Sequence, residues 1–209
     1  MENFFRFIAN RVIKIFANSI KGLCYVFHLF FPKKRFIIPK HSPPIYKAGR
    51  QSAIPRILWQ TNYTNRVTLP VYINFLFNRL LSLSYDYHFM ITEDRADFIK
   101  SNYPSEIFES YSKLQIGAAQ ADVWRILVLQ KYGGVYLDID AHFVWPLKMI
   151  VKKDYDELYI VRKRGGLSNY FIASKKNNAN LEKVIGAILK NIEDVFNFID
   201  GYNYDQYSC

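Results

Sequence analysis

Leu129-Gln130-Lys131-Tyr132-Gly133-Gly134-Val135-Tyr136-Leu137-Asp138-Ile139-Asp140 is the stretch on which the fold turns. It reads as the last turn of a helix, a two-glycine stop, a short apolar strand and a pair of carboxylates. The helix extends back to Ile116 through a nearly unbroken apolar run, and Gly133-Gly134 is the kind of stop such a helix takes at its C-terminus. Val135-Tyr136-Leu137 is then a buried strand that runs straight into Asp138-Ile139-Asp140. On an extended backbone Asp138 and Asp140 point to one side. Two carboxylates aimed at one place repel each other unless a cation or a donor group neutralises them.

Outward from this stretch the pattern alternates. Ile54-Pro55-Arg56-Ile57-Leu58-Trp59-Gln60 reads as a short buried strand entered from a proline, and Thr61 to Thr64 as a polar loop. Val71 to Leu83 predicts a helix. Tyr85, Tyr87, Phe89 and Ile91 keep strand periodicity, and Ala96 to Asn102 predicts a short helix stopped before Pro104. Beyond the carboxylates, Leu158 to Val161 and Tyr170 to Ala173 are strand candidates and Leu181 to Leu189 is helical. The Tyr-rich tail after Gly201 has no periodic apolar face. Strands alternating with helices predict an α/β sheet covered by helices.

A hard divalent cation with oxygen ligands is the natural partner of Asp138 and Asp140. Magnesium or manganese would bridge them to a diphosphate and stabilise its departure. The competing reading is a turn with two solvated acids. Upstream, Asp122 and Arg125 are three residues apart and share a helix face, either as an ordinary surface pair or as a partly buried one. A partly buried pair beside two more carboxylates is costly without a polar ligand, and a sugar nucleotide would use all four groups. His142, two residues past Asp140, is a further ligand or a packing residue. The four histidines, His28, His41, His88 and His142, show no metal-ligand spacing. Arg162-Lys163-Arg164-Gly165-Gly166 is a basic loop that either holds an anion or is simply solvated.

Ala121-Asp122-Val123-Trp124-Arg125 together with Leu129 to Asp140 closely resembles the D-x-D sugar-binding region of glycosyltransferase family 32. Ile54 to Thr61 resembles that family's first strand, and Ser168-Asn169-Tyr170-Phe171-Ile172-Ala173 a later segment. The resemblance covers roughly residues 54–190. It implies a GT-A fold, a mixed sheet flanked by helices. It also implies retaining transfer of a hexose from a nucleoside-diphosphate sugar (UDP- or GDP-linked) to a capsule- or lipopolysaccharide-type glycan or lipid-linked glycan. By similarity, Asp140 is the direct ligand of Mn2+ or Mg2+, and Asp138 contacts the ribose or sugar or binds the metal through water. Asp122 and Arg125 hold the donor sugar, Trp59 or a neighbour lies by the base, and Asn169 approaches the sugar. No general base is implied. Ile126 and the large Trp124 depart from the family pattern as packing changes. Family members continue past the helix at 181–189. The alternative expectation is therefore a truncated, inactive, membrane-associated remnant that acts as a binding module.

Charge separates the chain into parts. There are 28 Lys+Arg and 18 Asp+Glu in 209 residues, a net charge of +10. Residues 1–56 hold 11 of the basic residues and one acid, so residues 57–209 hold 17 of each sign (28 − 11 and 18 − 1) and are neutral. A charge-balanced domain argues against nucleic acid as partner. Phe4, Ile8, Val12, Ile15, Leu23, Val26 and Phe30 recur at helical steps, with Arg6, Lys14 and Lys21 on another face. Residues 1–35 thus predict a basic amphipathic helix, and Lys14 and Lys21 interrupt every window long enough to span a bilayer. The expectation is a helix peripheral on the inner face of a bacterial membrane, with packing on a protein or a signal anchor as alternatives. Residues 36–53, with Pro39, Pro43, Pro44 and Gly49, read as a linker, and residues 54–209 as the domain. Cys24 and Cys209 support neither a disulfide framework nor a Cys-based zinc site.

Overall fold

The computed structural model describes residues 2–47 and 52–206. The chain begins with α1 (Glu2–Phe30), followed by β1 (Phe36–Ile37), β2 (His41–Ser42), β3 (Ile57–Thr61), β4 (Arg66–Val67) and α2 (Leu69–Leu81). Next come β5 (Asp86–Met90), α3 (Thr92–Asn102), α4 (Ser105–Lys113), α5 (Gly117–Tyr132) and β6 (Gly134–Leu137). The chain continues with α6 (Leu147–Ile150), β7 (Glu157–Val161), β8 (Leu167–Ser174) and α7 (Ala179–Gln206). A six-stranded mixed sheet runs β2-β5-β3-β6-β8-β7, and β1 pairs with β4 in a separate ribbon. Strands β5, β3 and β6 are parallel, β2 and β8 join them antiparallel, and β7 pairs antiparallel with β8.

The sheet is covered on both faces. One face packs Leu58, Tyr87, Phe89, Val135 and Leu137 against Phe75 of α2 and Leu147 of α6. The other packs Trp59, Tyr136 and Ile172 against Phe98 and Ile99 of α3, Tyr111 of α4, the middle of α5, and Leu181 of α7. Val123 to Leu129 of α5 are buried without a break. A helix apolar all round belongs inside a fold, and each such fully buried side chain contributes about 2 kcal/mol.

The linker expected over residues 36–53 is corrected. β1 and β2 lie within it, β2 forms the sheet edge against β5, and Ile38 is fully buried in the core. Short two-residue strands bounded by prolines leave almost no apolar periodicity to read, which is why this stretch resembles a linker. α4, which follows Pro104 directly, and the ribbon strand β4 also go beyond the elements expected. α7 runs through Gln206, so the Tyr-rich tail is helical to that residue.

α1 touches the rest of the protein at its C-terminal end. Cys24 is buried, Phe27 packs 6.2 Å from Phe36, and the Leu69 amide donates to His28 Nε2 at 3.0 Å. Along the helix Phe7, Ile8, Val12, Ile15, Leu23, Val26, Leu29 and Phe30 are exposed. By length and composition alone, the 24 residues Phe7–Phe30 are long and apolar enough to cross a membrane.

One feature fixes the turn into β6 and another the turn that follows it at residues 138–141. Gly133 and Gly134 have φ of 67° and 107°, a region that L side chains rarely occupy. A Cβ on Gly134 would lie 2.7 Å from the Ile57 carbonyl oxygen, and one on Gly133 would lie 2.7 Å from the Lys176 amide nitrogen. α2 then reaches over the turn. Asn74 Nδ2 donates to the Ile139 and Ala141 carbonyls, each at 2.8 Å, and Asn78 Nδ2 donates to Ala141 at 2.9 Å. The Phe143 amide donates to Asn78 Oδ1 at 2.9 Å, and Gln60 Nε2 donates to the Asp138 carbonyl at 3.3 Å.

Gly134→Ala is expected to destabilise the full chain by more than Gly165→Ala in urea unfolding. Gly165 shares the positive φ, at 84°, but has open space where a Cβ would go. It therefore bears only the conformational cost of about 1–3 kcal/mol, while Gly134 adds backbone collision. Equal losses would show that crowding at Gly134 is relieved by a small shift of β3.

Candidate functional site

The three parallel strands give the site its place. β3 lies between β5 and β6, so the chain leaves β3 to one side for β5 and to the other for β6. A crevice opens at such a reversal beyond the carboxyl ends of the strands, and open α/β sheets bind ligands there. Asp138 and Asp140 follow the carboxyl end of β6, and Thr61 closes β3 beside them. The β7–β8 hairpin rises past the same end, because Leu137 is opposite Phe171 and residues 167–170 extend beyond β6. Its tip carries the exposed Arg162, Lys163 and Arg164 and is closed by the Arg162–Gly166 backbone bonds. The basic loop read from sequence thus lies on the hairpin that passes the carboxyl end of β6.

Arg125 organises the residues below it. Its side chain is 7% exposed, and its guanidinium meets Asp122 Oδ1 at 2.7 Å and Asp138 Oδ1 at 3.1 Å. It also donates to the Asn169 carbonyl at 2.6 Å and to the Ala121 carbonyl at 3.4 Å, and it lies 4.4 Å from the Tyr136 ring centroid. Asn169 Nδ2 donates to Asp122 Oδ1 at 3.1 Å. The Tyr136 hydroxyl donates to Asp138 Oδ1 at 2.6 Å. Burial raises the Tyr136 phenol well above its ordinary pKa against the opposing effect of Arg125, so it stays a proton donor to Asp138.

Asp122, Arg125, Asp138 and Asn169, dispersed over 48 positions of sequence (122 to 169), form one connected network. Arg125 itself is spent within it. In this arrangement Arg125 is a buried clamp that positions two carboxylates. The oxygens left open among the described residues are Oδ2 of Asp122, Oδ2 of Asp138 and the carboxylate of the exposed Asp140. Hard carboxylate oxygens without a partner fit a magnesium or manganese ion.

Trp59 is corrected. It is 4% exposed, its indole N–H donates to the Gly133 carbonyl at 2.9 Å, and its ring lies between Tyr132 and His88. It braces the glycine turn from within the core and presents no face to a ligand. Trp124 and Ile126 are likewise buried, as packing residues. His142 packs edge-on to Phe77 at 6.3 Å. Tyr63, in the loop after β3, is 75% exposed at the carboxyl end of the sheet.

Sequence reasoning missed Gln60, Asn74, Asn78 and Tyr136 as residues that hold the site. The buried polar positions at Gln60 and Asn78 were the available signal, since such side chains need internal partners. A second D-x-D by composition, Asp154-Tyr155-Asp156, precedes β7 at the opposite end of the sheet, where Asp156 pairs with Lys175.

Residues 70–157 match the family model described as a glycosyltransferase sugar-binding region containing a DXD motif. An uncharacterized glycosyltransferase of Acanthamoeba polyphaga mimivirus is 27% identical over 137 residues, 65% of this chain and 49% of that protein. Inositol phosphoceramide mannosyltransferase 3 of Schizosaccharomyces pombe is 33% identical over 96 residues, 45% of this chain and 26% of that protein. The chain spans about half the length of the first of these relatives and about a quarter of the second. Among solved structures, the PaToxG glycosyltransferase superposes with a TM-score of 0.55 at 16% identity, covering 89% of this chain and 70% of that one. That likeness bears on the fold and agrees with the GT-A arrangement of a mixed sheet between helices. Through residues 70–157, the chain is similar to glycosyltransferases whose sugar-binding region contains a DXD motif.

Proposed function

We propose that this protein transfers a hexose from a nucleoside-diphosphate sugar to a membrane-borne acceptor, with retention of configuration and dependence on Mn2+ or Mg2+. The observation that carries this reading is the pair Asp138 and Asp140 at the carboxyl end of β6. Both have open oxygens, and Asp138 is fixed by Arg125 and Tyr136. The metal ion would supply Lewis-acid stabilisation of the leaving diphosphate. Asp140 and Asp138 hold the ion, and the open oxygen of Asp122 receives a hydroxyl of the sugar. Arg125 and Asn169 keep Asp122 aimed. Arg162, Lys163 and Arg164 add positive charge above the diphosphate. Tyr63 replaces Trp59 as the aromatic surface for the base, because it is exposed at the end of β3.

The acceptor side rests on α1 and on one relative. α1 presents a long exposed apolar face to solvent, carries basic residues along its length, and is tied to the body at its C-terminal end. Such a helix binds the interface of an anionic bilayer. The fission-yeast relative is, by name, a mannosyltransferase acting on a phosphoceramide lipid. GDP-mannose is accordingly the first donor to try, and lipid-linked or lipid-anchored glycans, including those of capsule and lipopolysaccharide type, are the acceptor class.

Four outcomes test the reading. Across a panel of UDP- and GDP-hexoses, one donor is expected to bind the full chain in a manganese-dependent way by calorimetry. Asp140→Asn should reduce transfer by about 100- to 1,000-fold, the usual loss for one electrostatic stabiliser. Donor affinity that is unchanged in Asp140→Asn sinks the proposal. Arg125→Lys retains the charge but loses the fork, and should weaken donor binding by about 10- to 100-fold, the worth of one or two hydrogen bonds to charged groups. For the membrane, the protein should sediment with anionic vesicles and be released by alkaline carbonate, and Leu23→Glu with Leu29→Glu should abolish sedimentation. Retention after carbonate would instead mark a spanning helix.

A further inference from the structure

Two histidines 47 positions apart meet on the edge of the sheet. The register of β2 on β5 sets His41 directly opposite His88, and Asp86 lies two residues before His88 on the same face. His41 Nε2 is 2.7 Å from Asp86 Oδ1 and His88 Nε2 is 3.0 Å from Asp86 Oδ2, so one carboxylate bridges both rings. The three ligand atoms lie within 4.8 Å of one another. All three side chains reach solvent, at 54% exposure for His41, 35% for Asp86 and 30% for His88. Among the described residues Asp86 makes no ion pair with Lys or Arg. The nearby Lys40 is taken by Asp94 at 2.8 Å.

We infer that His41, Asp86 and His88 form a binding site for a borderline transition-metal ion of the zinc class, separate from the Asp138–Asp140 pair. Two imidazole nitrogens and one carboxylate oxygen suit zinc, cobalt or nickel, whereas all-oxygen sets suit magnesium and manganese. The ion occupies the space between the two Nε2 atoms and the carboxylate, replacing the hydrogen bonds that hold them, and both rings bind in their neutral form. Three protein ligands leave a fourth position for water. His88 is set by its neighbours: its ring packs 4.7 Å from Trp59, whose N–H is fixed on Gly133. The ion would therefore fasten a two-residue edge strand to β5. β5 is two strands from β6, about 10 Å away, so this site and the carboxylates cannot share one ion. The proposal goes beyond the transfer reaction and stands whether or not transfer is observed.

The experiment uses tag-free full chain carrying Asp138→Asn and Asp140→Asn together, so that the carboxylate pair is removed. Zn2+ is titrated by calorimetry and Co2+ by visible absorption. The expected result is one equivalent bound, with the d–d absorption of cobalt in a low-coordinate nitrogen–oxygen site. Adding His41→Gln or His88→Gln should weaken binding by more than about 100-fold, beyond the 10- to 100-fold typical of outer partners. His41 is on an exposed edge, so its substitution tests the site even if His88→Gln perturbs the fold, which circular dichroism without metal will show. No uptake, or uptake that survives His41→Gln, overturns the inference. Binding seen in the natural chain but lost in the Asp138/Asp140 variant also overturns it, because the ion would then belong to the carboxylate pair.

Discussion

Everything around the carboxylates depends on the buried guanidinium of Arg125. Asp122 comes from the first half of α5, Asp138 from the end of β6, and Asn169 from β8, and the three converge on this one cation. Remove the charge and two carboxylates sit close together with only hydroxyl and amide donors to hold them. The loss would be smaller than the ~3–5 kcal/mol of a fully buried pair, because Asp122 is 48% and Asp138 29% exposed. The larger consequence is positional. Each carboxylate gives one oxygen to the network and keeps the other for solvent or ligand, and that division exists only while Arg125 holds its fork.

The clamp in turn leans on the sheet. Strand registers place His41, His88, Trp59, Tyr136, Ile172 and Tyr159 in one row across all six strands, on the face that packs against α5. Within this row Tyr136 is the hinge between structure and chemistry: its ring lies under Arg125 and its hydroxyl reaches Asp138. Trp59 beside it closes the glycine turn that starts β6. Packing density is therefore transmitted directly into the placement of the site. A row of close-packed rings yields little, so the residues it supports keep their geometry.

The parts legible in the sequence were those with local causes. Gly133-Gly134 and the apolar run before it announced the end of α5, because the stop is written in the residues themselves. Asp122 and Arg125 at a spacing of three announced a pair on one helix face. What stayed hidden required strand register. Neither spacing nor composition sets His41 against His88, since only the pairing of a two-residue strand with β5 does so. Trp59 was misplaced for a similar reason. A tryptophan near the end of a first strand can turn to either face, and the buried donor it carries had its partner in the Gly133 carbonyl, 74 positions away. The prolines of residues 36–47 marked irregular backbone correctly but concealed that this backbone still completes the sheet edge.

The neutral domain and the basic N-terminus answer different physical demands. An ion pair network such as that of Arg125 works best where no large net field competes with it, and residues 57–209 carry 17 charges of each sign. The excess of positive charge lies in the first 56 residues, largely on and just after α1, away from the clamp. Charge placed on an exposed helix attracts an anionic surface over about a Debye length of 8–10 Å. Charge at the hairpin tip, Arg162 to Arg164, is instead confined to one exposed turn of the domain. The same residue types thus occur in two settings: along a helix with an exposed apolar face, and at the tip of the β7–β8 hairpin. The two are separate in the fold, since the contacts of α1 with the domain among the described residues include Cys24, Phe27 and His28 at its C-terminal end.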